Sequence, residues 1–382
     1  MRIGIDARLC GERHAGIGRY VKNLLVRLPF VLPQFEWVYF FYDRQAYEEV
    51  LVLVRQLTSS KKSEGDFKGR VKVVYVPIRH YTALEQVKLP RILKREKLDL
   101  LHVPHFNVPI FYRGKLCVTI FDLLWHEYKG ARVTTLSPLQ YRVKYLAYKL
   151  VTWIAVKKAS LVFYSAEVVK KAILRYYPWA KNKLVLTRYG VTLPAGGAVD
   201  EAWEKRLPKG DYLLYVGSLY PHKNIRVVLE ALTQDKNLHL VLAGSRDVFV
   251  AQVEALVAEW NLGKQVTFLG RVSDSELSYL YKNCQALVQP SLSEGFGLTG
   301  VEAMGLGAPV LASKIEIFRE IYQDAYLAFE PSSAASFLQA LGKLQRMSRA
   351  LLITKGKKLA ATYSWDEMVE IVAKSYAKIL DK

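Results

Sequence analysis

Short apolar runs alternate with helical stretches along nearly the whole chain, and the series occurs twice. In the first series "RIGIDAR", "EWVYFFYD", "VKVVYVP", "DLLHVP", "KLCVTIFD" and "SLVFYSA" read as strands. Between them "GIGRYVKNLLVRL", "AYEEVLVLVRQL", "ALEQVKLPRILKRE" and "EVVKKAILRYY" read as helices, and the polar "SSKKSEGDFKGR" reads as a loop. "TLPAGGAVDEAWEKRLPKG" breaks the rhythm with proline, glycine and charge, which suits a linker. A second series follows, with strands "YLLYVGSL", "HLVLAG", "QVTFLG", "QALVQPS" and "APVLAS". Two of its helices open on capping-box signals, Ser273 with Glu276 and Ser364 with Glu367. Strands that are apolar throughout need cover on both faces, which means parallel sheets sandwiched by helices. The 382 residues suit two such domains. The expected fold is α/β, two doubly wound domains with ligands outside the carboxyl ends of the strands and in a cleft between them.

Charge separates the two halves. Residues 1–195 hold 34 Lys+Arg against 14 Asp+Glu, and residues 196–382 hold 21 of each, so the whole net charge of +20 lies in the first half. That asymmetry fits a partner with a negative surface. From Lys129 to Ala166 there are seven basic residues and no acidic one. Within that run "PLQYRVKYLAYKLVTWIAVKKAS" mixes aromatic and aliphatic residues with Arg and Lys, the composition of a helix lying at a lipid interface. A core helix with one solvated basic face has the same composition. Three scattered cysteines (Cys10, Cys117, Cys284) do not make a disulfide framework and fit a reducing compartment. The opening "MRIGIDARLC" lacks a signal-peptide core, and no apolar run reaches membrane-spanning length. The expectation is a cytoplasmic protein, peripheral at the inner face of the cell membrane.

Three loops carry the candidate chemistry. "AGIGRY" follows the first strand and "GSLYPHKN" follows the first strand of the second series. "SEGFGLTGVEAMGLGAPV" lies later, with five glycines within thirteen positions and Glu294 eight residues before Glu302. Each loop presents backbone N–H groups at the start of a helix, which suits phosphate, and Lys223 adds a cation. None matches the dinucleotide or P-loop pattern. Together they suggest a nucleoside diphosphate, with carboxylates placed for hydroxyl-rich groups.

"EGFGLTGVEAMGLGAPVLAS" resembles the E-x7-E segment of the family-4 glycosyltransferases, retaining enzymes of the GT-B fold. "AGIGRYVKNLLVRL", "YVGSLYPHKN", "FLGRVSDSELSYLYKNCQALVQPS" and the closing "SWDEM" helix are similar to that family in the same order. The resemblance implies an acceptor-binding domain over 1–195, a nucleotide-sugar domain over 196–363, and a helix over 364–382 that returns to the first domain. It implies that Glu294 lies beside the donor sugar, with the amides of Gly295, Phe296 and Gly297 on its hydroxyls. Glu302 would bind the ribose. The amides of Leu298 and Thr299 would bind the diphosphate together with Gly16, Ser218, His222 and Lys223. Arg271 and Val272 would lie near the base. Glu294, His105 and Asp122 are the catalytic candidates.

No metal or cofactor is implied, and Lys223 with the helix N-termini would neutralise the leaving diphosphate. Two positions depart from the family pattern. Where relatives often have His-Asp, this chain has Phe121-Asp122, which leaves His105 and His126 as the nearby histidines. Where an arginine is common, it has Ser218 and His222; either a diphosphate raises the His222 pKa enough to protonate it, or Arg19, Arg226 or Arg271 supplies the charge.

The resulting expectation is a retaining hexosyltransferase using a GDP- or UDP-sugar, leaning towards mannosyl transfer. Its acceptor would be a saccharide or lipid-linked saccharide of the cell envelope, met at an anionic membrane surface. A nucleic-acid-binding basic protein is the alternative from charge alone, but it leaves the two-glutamate loop unexplained. A sugar-nucleotide epimerase would keep the fold without the transfer.

Overall fold

The computed structural model describes residues 1–58, 61–127, 137–244 and 249–381. The chain forms two compact units. The first gathers Met1–Leu123, Leu139–Gly190 and the closing segment from Ser364; the second gathers Val191–Tyr363 with the short helix Leu124–Glu127.

The first unit is built on β1 (Arg2–Asp6), β2 (Glu36–Phe41), β3 (Val71–Tyr75), β4 (Leu100–Val103), β5 (Leu116–Ile120), β6 (Leu161–Tyr164) and β7 (Leu184–Leu186). They form one sheet in the order β3-β2-β1-β4-β5-β6-β7, parallel throughout. Because helices cover both faces, β2 buries Trp37 through Phe41 without alternation. The second unit uses β8 (Leu213–Val216), β9 (Leu240–Ala243), β10 (Val266–Gly270), β11 (Ala286–Gln289), β12 (Val310–Ser313) and β13 (Leu327–Phe329). Their order is β10-β9-β8-β11-β12-β13, again all parallel. Each sheet therefore reverses its winding once, between β1 and β4 in the first unit and between β8 and β11 in the second. Such reversals open a crevice at the carboxyl ends of the two strands involved.

The closing helix, Trp365–Leu380, packs against the first unit. Ser364 accepts the Glu367 N–H at 3.3 Å, which caps it. Asp366 pairs with Arg27 at 2.6 Å. The Tyr376 hydroxyl lies 2.5 Å from Nδ1 of His102, whose Nε2 lies 2.9 Å from the Thr119 hydroxyl.

Two readings of the sequence are corrected. The polar segment expected to be a loop contains the helix Lys61–Arg70. One aromatic anchors it: Phe67 is fully buried, with its ring 6.3 Å from Phe30 and 6.4 Å from Tyr39. Glu64 adds ion pairs to Arg55 and Lys68. The expected linker is partly built into the second unit, because Asp200 caps a short helix, Glu201–Glu204, whose Trp203 is buried 6.0 Å from the Tyr279 ring. The capping box at Ser273 is present in full, at the start of helix Asp274–Asn283.

Candidate functional site

In the second unit the loops after β8 and β11 lie side by side at the winding reversal. After β8 the chain makes a turn of 3-10 helix, Pro221–Lys223. Asn224 follows in the left-handed conformation (φ 57°), which asparagine tolerates better than most residues. Its side-chain amide donates to the carbonyls of Pro290 at 3.0 Å and Pro331 at 2.7 Å. The Leu292 N–H donates to the His222 carbonyl at 2.8 Å. The two loops are thus tied together by hydrogen bonds, and across them the Lys223 ammonium donates to the Glu294 carboxylate. Ser291 Oγ donates to the same carboxylate oxygen at 3.3 Å.

The glycine-rich loop then enters the helix Leu298–Gly305 through Gly297, whose φ of 95° excludes most side chains. No side chain caps this helix; within its first turn the Gly300 N–H donates to the Gly297 carbonyl at 3.1 Å, and the amides of Leu298 and Thr299 have no side-chain cap. The loop is held from behind. The Tyr322 hydroxyl donates to the Gly297 carbonyl at 2.7 Å and also to the Gln289 side-chain oxygen, while Gln289 Nε2 donates to the Thr299 hydroxyl at 2.7 Å. A Cβ at Gly300 would come within 2.3 Å of that tyrosine oxygen. Phe296 turns inward onto the Tyr363 ring, 5.5 Å away. Glu302 is 1 % exposed, with the Tyr281 hydroxyl 3.5 Å from one of its oxygens. Beside these loops a cavity of about 160 Å³ opens at the ends of β8, β9 and β10, lined by Tyr215, Gly217, Leu219, Phe268 and Gly270 among others. Arg271 and Val272 follow Gly270 directly. Ser218 sits at the end of β8, where its carbonyl accepts the Tyr215 hydroxyl.

The structure therefore brings Lys223, His222, Ser218, Glu294 and the 295–299 backbone into one neighbourhood of the second unit. Gly16, His105 and Asp122 belong to the first unit. Gly16 lies in the first turn of helix Ala15–Val31; the glycine that a close approach explains there is Gly18, whose Cβ would strike the Gly11 carbonyl at 2.0 Å.

The first unit's winding reversal holds a buried ionic cluster. The Arg8 guanidinium, 1 % exposed, donates to Asp6 at 2.6 and 2.8 Å and to Glu85 at 2.7 Å. Asn107 and the Tyr81 N–H donate to the other Glu85 oxygen at 2.9 and 2.8 Å. His105 sits on this cluster, accepting the Asn107 N–H on Nδ1 at 3.2 Å with the Tyr81 hydroxyl 3.5 Å from Nε2. Phe121 packs on Tyr20 at 5.2 Å and Tyr189 at 5.9 Å. Its ring is thus a packing element, and the adjacent Asp122 is exposed. Among the described residues no group of three or more His, Cys, Asp or Glu is placed to hold a metal.

The family model for "Glycosyl transferases group 1" matches residues 200–358, the span that carries both tied loops. Over that span the second unit is similar to the group 1 glycosyl transferases. The chain is 27% identical over 384 residues to "O-antigen chain mannosyltransferase B" of Escherichia coli, covering 94% of this chain and 95% of that protein. It is also 27% identical, over 78% of each chain, to "O-antigen chain mannosyltransferase RfbU" of Salmonella typhimurium. Sucrose-phosphate synthase from Thermosynechococcus elongatus superposes with a TM-score of 0.73 at 19% identity, over 100% of this chain and 99% of that one. WaaG, described as a glycosyltransferase involved in lipopolysaccharide biosynthesis, does so at 0.69 and 16%, over 98% and 99%. These superpositions assign the chain the GT-B fold.

Without a diphosphate beside it, His222 has its pKa lowered to about 4 by burial, reinforced by the Lys223 charge, and Glu294 offsets this only in part. It is neutral at pH 7. Burial likewise takes His102 and His105 down to about 3. His105 is therefore a weak base, held as a hydrogen-bonding group. Residues that sequence reading missed are Asn224, Gln289 and Tyr322 behind the loops of Lys223 and Glu294, and Arg8, Glu85 and Asn107 beneath His105. The alternation of Asp6 and Arg8 in "RIGIDAR", which puts both on one side of an extended chain, was the available signal.

The histidines fix a pH dependence. Each has a folded pKa below its ordinary value of 6.5, so between pH 6.5 and about 4 the unfolded chain binds more protons than the folded one. Stability is therefore expected to fall as pH falls through that window, by on the order of 1 kcal/mol per pH unit for each histidine. Thermal melts at pH 7, 6, 5 and 4 check this; a melting temperature unchanged from pH 7 to 5 would contradict the burial argument.

Proposed function

We propose that this protein moves a hexose, mannose in the first instance, from a nucleoside-diphosphate sugar onto a saccharide or lipid-linked saccharide of an envelope polysaccharide, with retention of anomeric configuration and without a catalytic metal. The observation that carries the reading is the Lys223–Glu294 pair beside the uncapped start of helix Leu298–Gly305. Lys223 and the amides of Leu298 and Thr299 form a fixed positive locus where a leaving diphosphate gains charge, and such preorganised donors favour the transition state over the ground state. Diphosphate binding would draw Lys223 from Glu294 and leave the carboxylate beside the sugar. The amides of Gly295, Phe296 and Gly297 would orient the sugar hydroxyls, and Glu302 the ribose. The base would enter the cavity at the ends of β8–β10, near Arg271 and Val272. In this reading the first domain spans 1–195, contributes Gly16 to the diphosphate and His105 and Asp122 to the acceptor, and receives the 364–382 helix.

The mannosyltransferase names of the two curated relatives support mannose as the first donor to try. The experiment is a thermal-shift panel of UDP, GDP, ADP and their sugars, in EDTA and then with Mg²⁺. A ligand that binds only the folded chain raises its melting temperature, by about 2.7 kcal/mol of stabilisation at a hundredfold excess over Kd. The expected result is a shift by GDP and GDP-mannose in EDTA, followed by an α-linked product from the α-linked donor. Absence of any shift with every nucleotide would refute the reading.

A further inference from the structure

The helix Pro138–Lys158 of the first unit carries two apolar faces, and only one of them is packed. The inward face holds Tyr148, Thr152, Ala155 and Val156, with the Tyr148 ring 4.9 Å from Phe106. The outward face holds Leu139, Val143, Leu146, Leu150 and Trp153, exposed from 40 % at Trp153 to 74 % at Leu139. Their spacing of four, three, four and three residues lines them up along one side of a helix roughly 30 Å long at 1.5 Å per residue. A solvated face would not repeat a large apolar residue at every turn.

The charge around that stripe selects its partner. Arg142, Lys144 and Lys157 are exposed on the same helix, and Lys157 lies 4.4 Å over the Trp153 ring. There is no Asp or Glu between Lys129 and Ala166 in the sequence, although residues 129–136 of that run lie outside the described residues. The pattern continues past the end of the helix. Lys158 donates to the carbonyls of Ile110 and Tyr112 at 2.5 and 3.2 Å, which places Phe111, 63 % exposed, at that end. Lys183 donates to the Lys157 carbonyl at 2.8 Å and lies 5.8 Å over the exposed Trp179 ring. A second copy of this helix would suit the 4-3 spacing but would bring cations together with no counter-charge. A nucleic-acid duplex would neutralise the cations but offers no apolar phase for five large side chains. A bilayer with anionic headgroups satisfies both demands.

We infer that the outward face of helix Pro138–Lys158 docks this protein on an anionic lipid surface, with Leu139, Val143, Leu146, Leu150 and Trp153 entering the interface and the flanking cations meeting headgroup phosphates. Phe106 lies between the packed face of this helix and His105, with rings 4.0 Å apart, so the lipid surface is met one helix thickness from the His105 cluster. This deepens the proposed function by stating where a lipid-linked acceptor is encountered, and it rests on that reading only in that respect.

The test is flotation of the full chain, without nucleotide or acceptor, with vesicles of phosphatidylglycerol and phosphatidylcholine, against vesicles of phosphatidylcholine alone. The full chain is expected to float with the anionic vesicles and at least tenfold less with neutral ones. Arg142→Gln with Lys144→Gln should lower partitioning about thirtyfold, from roughly fivefold per cation. Leu146→Gln with Leu150→Gln should lower it at least tenfold. All four side chains are exposed, so unchanged melting temperatures show that the variants fold. Equal binding to neutral vesicles, or either double variant binding like the parent, overturns the inference. So does a dimer in solution that Leu146→Gln with Leu150→Gln dissociates, or displacement from vesicles by duplex DNA at equal phosphate concentration. Nucleotide thermal shifts do not enter this test, so failure here leaves the donor reading standing, and the converse holds.

Discussion

Lys223→Ala is expected to lower turnover by about 10²–10³-fold while the chain keeps its fold, because one preorganised donor to a developing oxyanion is worth roughly that much. Lys223 is held in place rather than left on a flexible stem. Its turn is fixed by Asn224 in the left-handed conformation, and the turn is bonded to the neighbouring loop through the His222 carbonyl. Its ammonium reaches Glu294, 71 positions away in the chain. The effect should fall on turnover more than on donor affinity, since charge on the diphosphate grows as the sugar departs. Lys223→Arg, which keeps the charge but changes its geometry, should recover part of the rate. Initial rates at saturating donor decide the matter; rates within twofold of the parent would place the neutralising charge elsewhere.

Arg8→Met is expected to destabilise the first unit by about 3–5 kcal/mol, a large share of ordinary domain stability. The guanidinium is the common partner of two buried carboxylates, Asp6 and Glu85, whose side chains are 7 % and 1 % exposed. Burial alone would push both carboxyl pKa values up; for Asp6 the adjacent Arg8, and for Glu85 the His80 hydrogen bond together with Arg8, outweigh it and hold them below the usual range. Without Arg8 the two carboxylates face each other with no cation between them, and at least one must take up a proton to stay buried. A depressed carboxyl pKa contributes stability above its ordinary value, lost as pH falls through the folded one, so the variant should also lose that acid dependence. Arg8→Met combined with Glu85→Gln removes one of the stranded charges and should recover a measurable part. Chemical denaturation followed by first-unit tryptophans, with Trp37 in the core, reads the loss; a change under 1 kcal/mol would mean that water reaches the cluster.

Most strands were legible because they are short apolar runs between helical stretches, whereas β7 and β13, three residues each, are too short to register as such runs. The loop with Glu294 and Glu302 was legible because glycines at 297 and 300 answer to hard contacts, one backbone angle and one tyrosine oxygen. The Lys61–Arg70 helix was not, since a single buried ring, Phe67, holds an otherwise polar segment, and periodicity cannot register one contact. Nor could the sequence reveal how far burial lowers the His222 pKa, since that depends on the enclosure around the ring. The Arg8–Glu85 pair spans 77 positions, and only the order of strands brings its halves together.

The return of the closing helix sets an order of assembly. The ribosome delivers all of the second unit before it delivers Trp365–Leu380, the part of the first unit that bonds His102 and Arg27. Until Tyr376 emerges, the ring of His102 in β4 waits without its phenol, and the face of Ala15–Val31 that meets the closing helix stays open to solvent. The half of the protein that is made first is thus the half that is finished last, and a chain stopped near residue 363 would carry a second unit with all its segments and a first unit without the helix that covers Ala15–Val31.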